Sequence, residues 1–97
     1  MKYRVVVSGS AEDDIQRLRG FLGGEASMTW PDAAEVIGRG IESLAEYPER
    51  GRRMLRLDRR ELIVPFRRAA YVIQYRVYER VVLVARIFHS LEDRPLA

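Results

Sequence analysis

The sequence predicts an α+β fold, with an N-terminal strand and a two-helix hairpin packed on a curved, mostly antiparallel sheet. Three observations predict it. Apolar residues recur at helical spacing between residues 11 and 47. They alternate with a period of two in the second half. The two regimes meet at Tyr47-Pro48, where a helix stops. With 97 residues, 47% of them apolar and 32% charged, residues 1–97 are expected to form a single domain around one core.

Lys2 to Ser8, KYRVVVS, is rich in β-branched residues and reads as a short strand. Ser10 precedes Ala11-Glu12-Asp13 and is the expected cap of the first helix, whose acidic first turn complements the helix dipole. Ile15, Leu18 and Leu22 follow at helical spacing beside Phe21, and Gly23-Gly24 is the expected end. The second helix is expected to open at Thr29-Trp30-Pro31-Asp32, with Thr29 capping and Pro31 in the first turn. Its apolar face is Ala34, Ile37, Ile41 and Leu44. Gly38 and Gly40 weaken it by about 1 kcal/mol each, a cost consistent with close contact to a neighbouring element.

Beyond Pro48, Arg52 to Leu57 is a weak strand candidate. Glu61 to Phe66 is a stronger one, and Pro65 marks it as an edge or a bulge. Tyr71, Ile73, Tyr75 and Val77 alternate with Val72, Gln74 and Arg76. Tyr78-Glu79-Arg80 is a tight turn into Val81 to Phe88, which is almost continuously apolar and hence expected as a central strand covered on both faces.

The net charge of +3 conceals an asymmetry. Ser10 to Glu49 holds nine acidic residues and three arginines, a net −6, whereas Arg50 to Arg68 holds eight arginines and two acidic residues, a net +6. In a strand, Arg50, Arg52, Arg56 and Arg60 would face one way and Arg53 and Arg59 the other. Such a cluster suits nucleic-acid phosphates or an acidic protein segment, or it keeps a sheet edge from pairing. Only Phe66 and Tyr71 lie near it for base stacking, which favours the acidic protein segment over nucleic acid.

Cysteine is absent, so neither disulfides nor thiolate metal sites arise. With one histidine, no metal and no cofactor are expected; Glu12, Asp13 and Asp14 read as helix-dipole partners rather than as a binuclear site. Ser8-Gly9-Ser10 makes no nucleophile elbow, and Gly20, Gly23 and Gly24 no phosphate loop. No segment approaches the roughly 18 apolar residues of a membrane helix. MKYRVVVSGSAEDD lacks the long apolar region of a secretory signal, so a cytoplasmic location is expected. His89 closes the last apolar run, between Arg86 and Glu92. Two roles are open to it. One is general acid in a metal-free phosphodiester cleavage, with Glu61 or Glu92 as base and Arg86 or Arg68 steadying the phosphate. The other is a strand-end residue bonded to backbone or to a carboxylate.

Arg60 to Phe66 (RELIVPF), Tyr71 to Val77 (YVIQYRV) and Val82 to His89 (VLVARIFH) resemble the RelE/ParE superfamily of toxins from type II toxin–antitoxin systems, the ParE branch most of all. Leu44, Pro48 and Gly51 fit the same pattern. The resemblance implies the helical hairpin on a curved sheet already read from the periodicities. It also implies a choice of functions. RelE-like members cleave messenger RNA in the ribosome with basic residues and a histidine, glutamate or C-terminal tyrosine. ParE-like members inhibit DNA gyrase and have lost that set. This chain has no tyrosine after Phe88 and no lysine beyond Lys2. The resemblance therefore implies a gyrase inhibitor rather than an enzyme, of the kind linked to plasmid stabilisation and growth arrest. His89 is then structural, since ParE-like members also carry a histidine at this place.

The resemblance implies a partner as well, a cognate antitoxin with an acidic, amphipathic C-terminal segment. The residues expected to meet it are Arg52, Arg53, Arg56, Arg60, Arg67 and Arg68. A homodimer and a heterotetramer with the antitoxin are both compatible. An endoribonuclease acting through His89, Arg86 and Arg68 is the alternative. A non-toxic module that only binds antitoxin is the third.

Overall fold

The computed structural model of the chain describes residues 2–21 and 24–92. Its first strand, β1 (Arg4–Val7), leads through Ser8 into α1 (Gly9–Gly20). Ser8, not the expected Ser10, is the cap. Its Oγ accepts the Ala11 N–H at 3.1 Å and donates to the Ala85 carbonyl at 3.0 Å. Both serines satisfy the local capping rule; the bond to Ala85 selects Ser8 because it also ties the helix start to the sheet. α1 ends at Gly20 with Phe21 as C-cap, and the expected ending through Leu22 and Gly23 lies outside the described residues.

The second helix, α2 (Gly24–Ser43), starts earlier than expected, so Pro31 lies inside it rather than in its first turn. Trp30, Ala33 and Ile37 share one face of it and pack with Leu44 into the core. Ala34 and Ile41 fall at the margin of that face, half-buried. Gly40 lies at its centre, and a Cβ there would stand 2.9 Å from Val64 Cγ2. α2 crosses the sheet closely at that point, as the glycine suggested. Gly38 has no such reason, for a Cβ there would meet nothing within 4 Å.

Four further strands complete one five-stranded sheet, namely β2 (Arg52–Arg53), β3 (Arg60–Phe66), β4 (Ala69–Tyr78) and β5 (Val81–His89). The order is β1-β5-β4-β3-β2; β1 pairs parallel with β5 and every other pairing is antiparallel. The expected strand from Arg52 to Leu57 shrinks to two residues. The Met54 N–H donates to the Arg59 carbonyl at 2.9 Å and closes residues 55–58 into a loop. β2 therefore covers only Arg60 and Glu61 of β3, and Pro65, opposite Ala70 on its other side, has a free outer edge that asks for no N–H. β5 is interior as expected, but the middle place belongs to β4.

One irregularity decides the site. Gln74 pairs with Arg86 and Tyr75 with Val84, so Ala85 is an extra residue, a β-bulge in β5. Val82 and Val84 face the helices before it, and Ile87 after it. Arg86 and Phe88 are thereby turned to the opposite face. Under the helices, Tyr75 is fully buried. Its hydroxyl donates to the Pro48 carbonyl at 2.8 Å and accepts the Gly51 N–H at 2.8 Å, pinning the passage from helices to sheet.

Candidate functional site

The bulge places His89 on the helix-covered face, 5% exposed, between two aromatic rings. Its ring centroid lies 5.1 Å from that of Phe21 and 5.3 Å from that of Tyr71, the latter edge-on. Nδ1 accepts the Leu91 N–H at 3.0 Å, and the His89 backbone N–H donates to Glu92 Oε1 at 2.9 Å. Burial holds the imidazole below its ordinary pKa, only partly countered by the Glu92 carboxylate. The neutral ring, with Nδ1 as acceptor, is the form this pocket stabilises.

A pH dependence follows. Folding favours neutral His89, so below the unfolded pKa of about 6.5 the unfolded chain takes up a proton that the folded one refuses. Stability is expected to decline as pH falls from that value toward the lowered folded pKa. A His89→Gln variant should melt at a temperature nearly independent of pH across this window. A wild-type melting temperature that is flat between pH 7 and pH 5 would contradict it.

Arg86 and Arg68, the other candidate nuclease residues, differ in their surroundings. Arg86 reaches the edge of β5, where its Nε and Nη2 donate to Asp14 at 2.8 and 3.1 Å. Arg68 sits exposed in the turn between β3 and β4. Asp14 is the residue that the sequence reading missed. It is 2% exposed, and it also accepts the Ile87 N–H at 2.8 Å and a bond from Arg17. Burial works to raise its carboxyl pKa, but the hydrogen bonds from Arg86, Ile87 and Arg17 outweigh that and hold it below the ordinary value. Glu12 and Asp13 stay exposed, as dipole partners should. The signal was present, since Ala11, Asp14 and Leu18 share the i, i+3, i+7 face. Arg17 also binds Glu92 at 2.8 Å and the Ile87 carbonyl at 3.0 Å, so α1 serves as a side-chain substitute for the strand that β1 is too short to supply.

The six arginines expected to meet a partner fall into two groups. Arg52, Arg53, Arg56 and Arg60 gather at the β2 end. Arg67 and Arg68 lie beyond the far end of β3, roughly 20 Å away at the rise of a strand. Arg67 stacks over Phe66 with 5.3 Å between guanidinium carbon and ring centroid. At the β2 end a cleft of about 310 Å³ is lined by Arg53, Arg59, Arg60 and Arg76, with Met54, Leu57 and Tyr75, and with Glu49 and Asp58 as the acidic members. Arg60 spends its Nη1 on the Gly51 and Glu49 carbonyls, at 2.8 and 3.3 Å. Arg59 donates to Gln74 at 3.1 Å, Gln74 to Glu61 at 3.2 Å, and Arg52 to Glu61 at 3.3 Å. Arg76 lies 3.6 Å from Asp58, and its Nε is buried without a hydrogen-bond acceptor among the described residues. Arg59 and Arg76 thus join the cleft unexpectedly. Arg76 was legible from the Val72, Gln74, Arg76 alternation of β4; Arg59 depended on a loop that no periodicity describes. Four guanidinium groups against two carboxylates leave this cleft with an excess of positive charge, the chemistry that suits carboxylate ligands. Among the described residues no group of three or more histidine or acidic side chains could hold a metal, and no helix is long and apolar enough to cross a membrane.

Comparison with known proteins adds four findings. The family model described as "ParE toxin of type II toxin-antitoxin system, parDE" matches residues 5–94. Toxin RelE3 of Caulobacter vibrioides is 42% identical over 84 residues, covering 87% of this chain and 90% of that protein. Toxin RelE1 of the same organism is 36% identical over 94 residues, covering 97% and 100%. A solved structure described as "Chromosomal ParDE TA system from P. aeruginosa" superposes with a TM-score of 0.67 at 16% identity, covering 91% of this chain and 96% of that one, a likeness of fold.

Proposed function

The chain belongs to the ParE toxin family of type II toxin–antitoxin systems, and from that premise we propose that it inhibits DNA gyrase in the cytoplasm and is neutralised when an acidic antitoxin segment docks on the basic cleft. The observation that supports binding over RNA cleavage is the place of His89. A general acid must present a titrating nitrogen to its substrate. This imidazole lies under the helices with Nδ1 occupied, and the guanidinium that would steady a phosphate beside it is held by Asp14. The cleft supports the antitoxin part. Its arginines offer paired donors to Asp and Glu side chains, and Met54 and Leu57 offer apolar surface to the other face of an amphipathic segment.

The test is a supercoiling assay with purified gyrase and an excess of antitoxin-free protein. Supercoiling is expected to fall and to recover when the antitoxin is added. Undiminished supercoiling at saturating protein would refute the gyrase assignment. Message integrity in a translating extract should be followed in parallel, and cleavage that disappears with His89→Ala would move the function to RNA.

A further inference from the structure

The loop between β2 and β3 carries leucines that the fold does not use. Leu55 is 99% exposed and Leu57 40%, and the exposed Arg53 and Arg56 flank Leu55. The loop is held in shape. Beyond the Met54–Arg59 bond, the Arg59 N–H donates to the Leu57 carbonyl at 2.7 Å, and Arg59 is tied to Gln74 and Asp58 to Arg76. A preformed tip loses little conformational freedom when it docks, so its exposed apolar group is free to contribute to binding.

Where the chain leaves α2, Tyr3, Tyr47 and Pro48 line a mostly apolar hollow of about 750 Å³, completed by Ser43, by the carboxylates of Glu46 and Glu49 and by one cation, Arg50, whose Nη1 donates to Ser43. Tyr47 is 64% exposed. Glu49 borders this hollow and also the cleft beneath the loop, so the projecting leucine and the hollow are neighbours on the surface. Leu55 does not fill the hollow of its own chain, as its exposure shows. The two features also belong to the segments of opposite charge, net +6 for the loop side and net −6 for the helical side.

We propose that the two features are halves of one interface, and that the hollow receives Leu55 from a second copy of this chain. Because knob and hollow are neighbours, a two-fold axis passing between them lets each loop enter the other's hollow at the same time. That arrangement is self-complementary and closes as a dimer instead of growing into a filament. Arg53 and Arg56 of each loop then face Glu46 and Glu49 of the other copy, which sets orientation and makes the contact sensitive to salt. A membrane surface would demand more apolar area than this tip offers. A nucleic acid would engage the arginines and leave Leu55 idle. The contact is small, so the association is weak and depends on concentration.

Sedimentation of the full antitoxin-free chain, from low micromolar to near-millimolar concentration, tests this by mass alone, whatever the toxin's target. The mass should rise from one chain toward two, and less so in high salt. Leu55→Asp and Tyr47→Asp change exposed side chains, so each should keep the wild-type circular dichroism and melting temperature while remaining a monomer. An equal mixture of the two variants should recover part of the association. The mixed pair keeps one intact contact, the Leu55 of one variant in the hollow of the other, whereas each variant alone keeps none. A wild-type chain that stays monomeric would overturn the proposal, as would a dimer indifferent to Leu55→Asp or a mixture no more associated than its components.

Discussion

Replacing Asp14 by alanine is expected to destabilise the fold by about 3 kcal/mol and to lower its melting temperature by roughly 15 °C. The carboxylate is buried, and it satisfies the Ile87 N–H on the free part of the β5 edge as well as two guanidinium groups. Truncation leaves the Ile87 donor unpaired and takes from Arg86 the carboxylate that accepts its Nε and Nη2 hydrogen bonds. Loss of one partner from a buried ion pair costs about 3–5 kcal/mol, and the partial exposure of Arg17 and Arg86 places this case at the lower end. Arg17 keeps Glu92 and the Ile87 carbonyl, which limits the damage further. The same carboxylate governs acid stability. Its folded pKa lies below the ordinary value of 3.8, so its contribution is complete above that value and is lost as pH falls through the folded pKa. Urea unfolding at neutral pH and at pH 3 is the measurement. The variant and the wild type should differ most at neutral pH and converge in acid. Equal stability at neutral pH would mean that the edge of β5 is held without Asp14.

Reversing the charge of Arg59 and Arg76 together to glutamate should weaken antitoxin binding by about 100-fold, which is about 2.8 kcal/mol. Both guanidinium groups line the cleft, and their replacements would set carboxylates against an acidic segment in a partly enclosed space. Glutamate at Arg67 and Arg68 should weaken binding only a few-fold, because those residues stand at the far end of β3 and are exposed to screening salt. Calorimetry with the purified antitoxin compares the two variants, and thermal melts confirm that both fold. A larger effect at Arg67 and Arg68 would show that the segment docks at the β3–β4 turn instead.

The elements that the sequence disclosed rest on local chemistry. The three long strands follow from alternation and from β-branched content, and the edge position of Pro65 follows from a missing N–H. The helix starts were not legible to the same degree. Ser8 and Ser10 are equal candidates by any local rule, and the decision came from a carbonyl 77 residues away. The start proposed at Thr29 looked complete in itself, yet the helix begins upstream at Gly24 and runs through the proposed cap. Arg52 to Leu57 has strand composition, but the chain closes there as a loop around the Met54–Arg59 bond.

By itself the sequence determined the fold class, the opposed charges of its two segments and the absence of any cysteine chemistry. These depend on composition and on short-range periodicity, which no later contact alters. The tertiary structure alone decided what His89 faces. Uninterrupted alternation from Val82 and Val84 would have put Arg86 under the helices and His89 on the opposite face of the sheet. The extra residue at Ala85 exchanges those two faces. Whether a strand bulges is set by its pairing with β4 and by the bond from Ser8, both distant in sequence. A shift of one residue in register therefore moved the chain's single imidazole from one face of the sheet to the face that the helices cover.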